Sequence, residues 1–313
     1  MARFDVTVVG ELNLDLILYG LPDELEPEKE LLASDLVLTL GSSSAIFAHN
    51  LAVIGNKVGF ISRIGTDPLG QIALERLESG GVDVTRVRRV AGSTKTGLTV
   101  IVTQTGNRRI LTYPGAMFEM GYDDLDLDYL RSGKHFHLSS FYLHKALRPR
   151  IAELFEQMKR AGLSTSLDTN DDPEDRWEGL DDVLPFVDVL FVNEREAGKL
   201  AREDSLEAAV ENLAGKVNVV AVKLGAKGGW ARQRKQEWTH PGYRVNAIDP
   251  VGAGDSFDAG FLHQFVRGVD LRTCLAYGNL SGAFSTTRPG GTEAFRERPK
   301  WQDFLQKHGN EAA

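Results

Sequence analysis

The chain has 313 residues, 42% of them hydrophobic and 26% charged, which predicts one large α/β domain with at most a small appendage. Its formal net charge of -8 argues against a general nucleic-acid binder and against a polybasic membrane anchor. A single cysteine, Cys274, excludes an intramolecular disulfide and a cysteine-rich metal site.

The N-terminal residues lead directly into a strand pattern, without the apolar segment of a secretory signal. No apolar run reaches the roughly 18 residues that a membrane span needs. We therefore expect a cytoplasmic protein with no membrane or nucleic-acid partner.

Apolar runs rich in Val, Ile and Phe alternate with helical patterns, which is typical of a mostly parallel sheet with helices on both faces. The predicted strands are Phe4–Val9, Lys57–Ile61, His135–Leu138, Ser164–Leu167, Val187–Val192 and Val219–Lys223. The predicted helices are Ser43–Ile54, Leu69–Ser79, Arg150–Ala161, Glu194–Arg202, Leu206–Ala214, Asp255–Arg267 and Leu271–Phe284.

Two segments break this alternation. Asp15–Leu40 contains alternating stretches and prolines but no good helix, and Thr96–Thr112 reads as two strands joined near Thr105-Gly106-Asn107. We predict one domain over residues 1–313, with a small β lid formed by approximately residues 12–40 and 95–113.

The stretch DPVGAGDSFDAGF begins at Asp249 and places small residues where a helix starts. The first amides of a helix lack partners within the helix and carry a partial positive charge, so Gly252, Ala253 and Gly254 would let an anion approach closely. An acid at that point, Asp255, would face the hydroxyl of a second substrate and accept its proton, as in phosphoryl transfer to an alcohol. A glycine-rich turn with Asp255 as an ordinary helix cap also explains the pattern.

Other phosphate-binding patterns do not match. The chain has no P-loop motif, and Gly10 is followed by Glu11-Leu12-Asn13 instead of a dinucleotide-binding glycine pattern. A NAD-dependent dehydrogenase is therefore disfavoured.

The residues from Asp249 to Gly260 resemble the C-terminal signature of the PfkB/ribokinase family of carbohydrate kinases. The resemblance implies a ribokinase-like three-layer α/β/α sandwich with a small β lid. It also implies transfer of the γ-phosphoryl group of ATP to a primary hydroxyl, with Asp255 as general base and an anion hole at Gly252–Gly254. The cofactors implied are ATP, Mg²⁺ and a monovalent cation such as K⁺.

The N-terminal third also resembles the family. Gly10–Asp15 places an acid after the first strand, and Gly41–Gly55 matches the N-terminal signature with two departures: Ser42 stands where a second glycine is usual, and Ile46 where an asparagine is frequent. Ser43 replaces the lysine of sugar-phosphate branches. Asp168, with Trp177 shortly after it, is similar to the D-x-N…W pattern of the fructokinase and ketodeoxygluconate-kinase branches. The acceptor site implied consists of Asn13, Asp15, Gly41, Ser42, Ser43, Ile46 and Asp168.

The remaining family motifs concern ATP and cations. The N-x-x-E motif, Asn193 to Glu196, would help to hold Mg²⁺ partly through water, although the same residues also fit a helix capping box. The ATP-binding residues implied are Asn193, Glu196, Lys223, Gly225, Ala226, Gly228 and Asn279. A monovalent cation would be held, mostly by main-chain carbonyls, at Asp249, Val251, Ser285, Arg288 and Gly290.

Three histidines, His135, His137 and His144, lack a complementary acid set for a metal, and we predict a structural role for them. The predicted partner is a small sugar or nucleoside, and the lid is a candidate surface for a homodimer. Two alternatives stay open: an adenosine-like nucleoside kinase, and a non-catalytic sugar or nucleotide sensor on the same fold.

Overall fold

The computed structural model describes residues 2–104 and 107–308. Within these ranges the main sheet has nine strands in the order β13-β12-β11-β10-β9-β8-β1-β4-β5. The seven strands from β11 to β5 are parallel, while β12 and β13 pair antiparallel at one edge. The strands are β1 Phe4–Val9, β4 Val58–Gly65, β5 Asp83–Val90, β8 Gly133–Ser139, β9 Ser164–Asp168, β10 Val189–Asn193, β11 Val219–Lys223, β12 Gly229–Gln233 and β13 Gln236–His240.

Helices cover both faces of this sheet, so the domain has three layers with a hydrophobic core on each side. One core includes Phe47, Phe261 and Leu275, and the other includes Leu154 and Leu213. The helices are α1 Ser43–Val53, α2 Pro68–Ser79, α3 Leu127–Arg131, α4 Ile151–Arg160, α5 Glu194–Ala201, α6 Leu206–Ala214, α7 Ala253–Phe265, α8 Leu271–Ser285 and α9 Arg298–His308. This architecture confirms the predicted three-layer α/β fold.

A second sheet forms the lid, with strand order β3-β2-β6-β7 in the described part of the chain. Its strands are β2 Asn13–Tyr19, β3 Asp35–Leu40, β6 Gly97–Gln104 and β7 Asn107–Tyr113. Both predicted segments therefore enter the smaller sheet. The predicted turn residues Thr105 and Gly106 lie outside the described residues.

The register of the lid places residues with similar chemistry in rows, because directly paired residues share a face. One row on the inner face is polar: Thr39, Asp15, Thr99 and Thr112. The next row on that face is apolar: Val37, Ile17, Ile101 and Ile110. The lid thus has a polar band beside an apolar band on one face.

Some predicted boundaries differ from the structure. Helix α7 begins at Ala253, two residues before the predicted start, because Gly252 takes the left-handed conformation (φ 72°) at the cap. Strand β5 was not predicted, since its sequence DVTRVRRV lacks a buried apolar run and its side chains are mostly half-buried or exposed. Helix α9 was also missed. Among the described residues, no helix combines the length and apolarity needed to cross a bilayer.

Candidate active site

The predicted site residues of the main sheet meet at one edge because parallel strands present their carboxyl ends together. Asp168, Asn193 and Lys223 are the last residues of the neighbouring strands β9, β10 and β11. The N-terminus of α7 faces the same edge, since the Cβ position of Gly254 would lie 3.4 Å from the Nζ atom of Lys223. The fold therefore brings the turn at 252–255 to the strand ends.

The turn at the start of α7 has the properties of an anion-binding cradle. Gly252, Ala253 and Gly254 are half-buried, and the amides of Gly254 and Asp255 have no main-chain acceptor among the described residues. Gly252 tolerates no side chain, because its φ is 72° and an added Cβ would lie 2.5 Å from the Cα atom of Gly291. The amides and the helix dipole at this point favour a negatively charged group.

Asp255 lies in the first turn of α7 and is 9% exposed. Burial, followed by the negative charge of Asp168, raises the pKa of Asp255 to about 7. The charge of Lys223 and a hydrogen bond from the Ser43 hydroxyl act in the opposite direction. A carboxyl group with this pKa is suited to general-base catalysis near neutral pH.

Lys223 is the positive charge at the centre of the site. Its Nζ atom lies 2.8 Å from Oδ2 of Asp168 and 3.2 Å from Oδ2 of Asp258. Burial opposes the charged form, but the surrounding carboxylates outweigh burial and raise the pKa of Lys223. Lys223 therefore stays protonated beside Gly254, where it adds to the positive field of the cradle.

Two acids contact this lysine, and their pKa values shift in opposite directions. Burial alone would raise the pKa of Asp168, yet the charge of Lys223 holds that pKa below its usual value. Burial raises the pKa of Asp258 well above its usual range despite the charge of Lys223. Lys223 therefore favours the charged form of Asp168 more strongly than that of Asp258. Asp258 was not predicted as a site residue, although it follows Asp255 by three residues and so lies on a neighbouring part of the same helical face.

The lid contributes Asp15 to the same site. Asp15 is 6% exposed, and burial, followed by the charges of Asp255 and Asp249, raises its pKa to about 7. Thr99 hydrogen-bonds Asp15 and also accepts a hydrogen bond from Nδ2 of Asn13 at 3.2 Å. Asn13 and Asp15 are therefore brought together as predicted. Thr99 was missed, because its pairing with Asp15 depends on register between distant segments.

The loop before α1 lies opposite the lid. An added Cβ on Gly41 would lie 2.1 Å from Oδ1 of Asp15, so the backbone approaches the lid acid closely. Ser42 caps α1 by accepting a hydrogen bond from the amide of Ala45, and Ser43 contacts Asp255. Ile46 is 3% exposed.

Ile46 packs beneath the anion-binding turn. Added Cβ atoms on Gly252 and Gly291 would lie 3.2 Å and 2.6 Å from its side chain. Ile46 therefore supports the turn from the core side, and its predicted contact with an acceptor stays a prediction.

Asn193 and Glu196 form a complete capping box at the start of α5. The amide of Glu196 donates to Oδ1 of Asn193 at 2.9 Å, and the amide of Asn193 donates to Oε2 of Glu196 at 2.8 Å. Burial, followed by the charge of Asp168, raises the pKa of Glu196 to about 7. The helix capping box that the sequence allowed for these residues is therefore present in the structure.

The same side chains also fit a role near magnesium. In the described part of the chain, Glu196, Asp168, Asp255 and Asp258 form a cluster of acids that Lys223 contacts, and a divalent cation would offset negative charge there. In the described ranges no group of three or more His, Cys, Asp or Glu side chains is arranged to hold a metal ion without other ligands. Mg²⁺ commonly completes its shell with water and substrate phosphates.

The predicted nucleotide loop follows β11 as a short 3₁₀ turn, Gly225–Lys227. Gly228 has a φ of 106°, and an added Cβ would lie 2.0 Å from the carbonyl oxygen of His240. Nδ2 of Asn279 donates to that same carbonyl at 3.0 Å. Gly225 and Ala226 are exposed, so this edge of the site has a fixed base and an open upper surface.

The predicted cation loop is tied together by the carboxylate of Asp249. Its Oδ1 atom accepts from the amide of Val251 at 2.9 Å, and Oδ2 accepts from the amide of Gly290 at 2.9 Å. Oδ2 also accepts from the Tyr19 hydroxyl at 2.9 Å. Three donors already contact this carboxylate, so main-chain carbonyls such as those of Ser285, Arg288 and Gly290 would supply most of the ligands of a monovalent cation here.

The histidines lie in the core below the site. Hydrogen bonds of 2.7–2.8 Å connect, in order, Ser164, His135, Ser166, His137 and Ser139. Burial lowers the pKa of His137 to about 3 and that of His135 well below its usual value. Both imidazoles are thus neutral and fully partnered, which agrees with the structural role expected for them.

Comparison with known proteins places these residues in context. A family model described as pfkB family carbohydrate kinase matches residues 3–298. An uncharacterized sugar kinase from Archaeoglobus fulgidus is 31% identical over 249 residues, covering 78% of this chain and 96% of that protein. An ATP-dependent ribose-1-phosphate kinase from Halopiger xanaduensis is 32% identical over 255 residues, covering 81% and 82%. A solved E. coli protein in complex with ATP and Mg²⁺ has a TM-score of 0.83 at 24% identity, covering 97% of this chain and 99% of that one.

Proposed function

Because the chain belongs to the pfkB family of carbohydrate kinases, and so is a phosphotransferase, we propose that it transfers the γ-phosphoryl group of ATP to a primary hydroxyl of a small neutral carbohydrate, with Asp255 as the general base. The observation that carries this proposal is the position of Asp255. It is a buried carboxyl group with a pKa raised to about 7, at a helix N-terminus where the amides of Gly254 and Asp255 have no main-chain acceptor in the described part of the chain.

In the proposed reaction the acceptor hydroxyl lies between Asp15 and Asp255. Asp255 takes the hydroxyl proton as the acceptor oxygen forms its bond to the γ-phosphorus and the bond from that phosphorus to the β,γ-bridging oxygen breaks. The products are a phosphorylated sugar, ADP and a proton on Asp255. The amides at 252–254 and the ammonium of Lys223 stabilise charge on the transferring group.

Asn193 and Glu196 would help to hold Mg²⁺, partly through water, at the acidic end of the strands. When bound, Mg²⁺ neutralises phosphate charge. The E. coli protein of the same fold contains ATP and Mg²⁺, which supports the use of both here. The exposed loop at 225–228 and Asn279 would contact the nucleotide. The carbonyl-lined loop at 285–290 would hold K⁺ or a similar ion.

The chemistry of the acceptor pocket favours a neutral polyol. The groups near Asp15 are the hydroxyl of Thr99, the amide of Asn13 and the carboxylates of Asp255 and Asp249, and among the described residues no cation shifts the pKa of Asp15. A phosphate or carboxylate on the acceptor would add repulsion there. The ribose-1-phosphate kinase relative makes a phosphorylated sugar the alternative to test first, and a nucleoside such as adenosine comes next.

We also propose a homodimer formed through the outer face of the lid. Two neighbouring rows on that face are apolar along most of their length: Leu38, Leu16, Val100 and Leu111, and beside them Leu36, Leu18 and Val102. Leu36 is 59% exposed and Leu111 60%. A contiguous apolar sheet face of this kind is typical of a protein interface.

The test of the proposed function is a phosphorylation screen with purified protein, ATP and Mg²⁺, over neutral sugars, sugar phosphates and nucleosides, with and without K⁺. For the best acceptor, Asp255→Asn is expected to lower kcat at least about a hundredfold with little change in KM for ATP, because general-base help is typically worth ~10²–10⁴.

Asp128→Asn provides the matched control, since Asp128 is a surface carboxylate 94% exposed. It should behave like the wild type. Turnover near the wild-type value in Asp255→Asn would remove Asp255 from the chemistry.

A further inference from the structure

The lid and the anion-binding turn are joined by a hydrogen bond between residues 230 positions apart in the chain. The Tyr19 hydroxyl, at the end of lid strand β2, donates to Oδ2 of Asp249 at 2.9 Å. Asp249 is 2% exposed, and its carboxylate also accepts hydrogen bonds from the amides of Val251 and Gly290. One lid hydroxyl therefore contacts the carboxylate that shapes the loop entering the anion-binding turn.

A small hydrophobic cluster reinforces this connection. Ile17 and Ile101 of the lid are buried against Val251, and Tyr19 and Val37 pack around them. This is the apolar band of the inner face of the lid. It contacts the residue that directly precedes Gly252, so the loop is held by packing as well as by hydrogen bonds.

The loop in turn determines the shape of the turn. Gly252 contacts Gly291 so closely that an added Cβ would lie 2.5 Å from the Cα atom of Gly291. Gly290, the neighbour of Gly291, is held by Asp249. The positions of the amides at 252–254 therefore depend on these contacts, and the lid supplies one of them through Tyr19.

We propose that Tyr19 is a positioning residue that couples lid closure to the assembly of the anion-binding turn. Tyr19 lies on the same strand and the same face as Asp15, four residues away, so acceptor bound at Asp15 and the turn that stabilises the transferring phosphoryl group share one rigid strand. Closure of the lid completes the hydrogen bonds of Asp249 and orders the turn. The catalytic part of this inference rests on the proposed kinase function.

The first test compares Tyr19→Phe with Tyr113→Phe, which removes a hydroxyl from an exposed tyrosine of the same lid. A hydrogen bond to a charged acceptor is lost only in Tyr19→Phe, so kcat/KM for the acceptor should fall about tenfold while KM for ATP stays within about twofold. Tyr113→Phe should match the wild type. A lower melting temperature in Tyr19→Phe with unchanged kcat/KM would indicate a purely structural role and overturn the inference.

A double-mutant cycle tests whether Tyr19 acts through Asp249. If it does, adding Tyr19→Phe to Asp249→Asn costs less than about twofold in kcat/KM, because the interaction is already disrupted. If the fold loss in kcat/KM of the double variant equals the product of the losses of the two single variants, the coupling is contradicted.

Hydrogen exchange gives a readout that does not need activity. In the ligand-free protein, the amides of Asp249 and of residues 251–254 should exchange faster in Tyr19→Phe than in the wild type or in Tyr113→Phe. Equal exchange in all three proteins would refute the coupling even if the protein is a kinase. If the wild type phosphorylates no acceptor, the proposed function fails while this measurement still decides the role of Tyr19.

Discussion

The hydrogen bond from Ser43 to Asp255 predicts a pH-dependent defect in Ser43→Ala. Burial raises the pKa of Asp255 to about 7, and the Ser43 hydroxyl is one of the contacts that keep it from rising further. A hydrogen bond to a charged acceptor is worth about 1.5 kcal/mol or more, so its loss should raise the pKa by about one unit, to about 8.

This shift gives a specific profile for kcat/KM, which reports the free enzyme. The ionised fraction of Asp255 at pH 7 would fall from about one half to about one tenth, so Ser43→Ala should lose about fivefold in kcat/KM. At pH 9 both proteins would be about 90% ionised or more, and the loss should be about 1.1-fold. The sign follows because a base must be ionised, so activity is lost as pH falls.

The assay is initial-rate ADP formation at limiting acceptor from pH 6 to pH 9.5. Ser62→Ala is the matched control, because the Ser62 hydroxyl is buried without a hydrogen-bond partner among the described residues. It should show the wild-type profile. A loss in Ser43→Ala that is the same at every pH would mean that Ser43 binds the acceptor and does not tune Asp255, which would refute the reasoning.

Two further predictions concern assembly and acid stability. In a sedimentation experiment, Leu111→Glu on the outer face of the lid should weaken the homodimer at least about tenfold. Ile248→Glu, which changes an exposed apolar position outside the lid, should leave association unchanged. Equal association of the two variants would exclude this interface. Burial lowers the pKa of His137 to about 3, below its usual value of 6.5. The unfolded chain therefore takes up a proton below pH 6.5 that the folded protein does not, and stability decreases as the pH falls. Between pH 6 and pH 5, the free energy of unfolding should therefore decrease by about 1.2 kcal/mol less in His137→Gln than in the wild type, as measured by urea denaturation. Equal decreases would show that His137 does not cause this pH dependence.

The sequence was sufficient where a function depends on neighbouring residues. The helix start at the glycine-rich turn before α7 could be predicted closely, and the turn could be proposed as an anion site, because such a site needs only a few small residues and a helix after them. The capping box at Asn193 and Glu196 is equally local, and the structure contains it. Strands with continuous apolar runs were also predicted, since burial on both faces leaves a clear signal.

The sequence was insufficient where distant segments meet. Asp15 depends on Thr99, and Asp249 on Tyr19, through strand register and lid docking that no local pattern encodes. Strand β5 was missed because an edge strand need not be apolar. Ile46 shows the same limit: its packing beneath the turn at Gly252 depends on how distant segments meet, and its predicted contact with an acceptor stays a prediction.

The sequence by itself thus determined the class of fold, the family and the residue that we propose as the general base. Only the tertiary structure decided how the pKa of each acid in the site is shifted, because the pKa of a carboxyl group depends on burial and on charges brought close by folding. Asp168, Asp255 and Asp258 are chemically the same residue in the sequence. Burial and the charge of Lys223 leave the pKa of Asp168 below its usual value, raise the pKa of Asp255 to about 7 and raise the pKa of Asp258 well above its usual range.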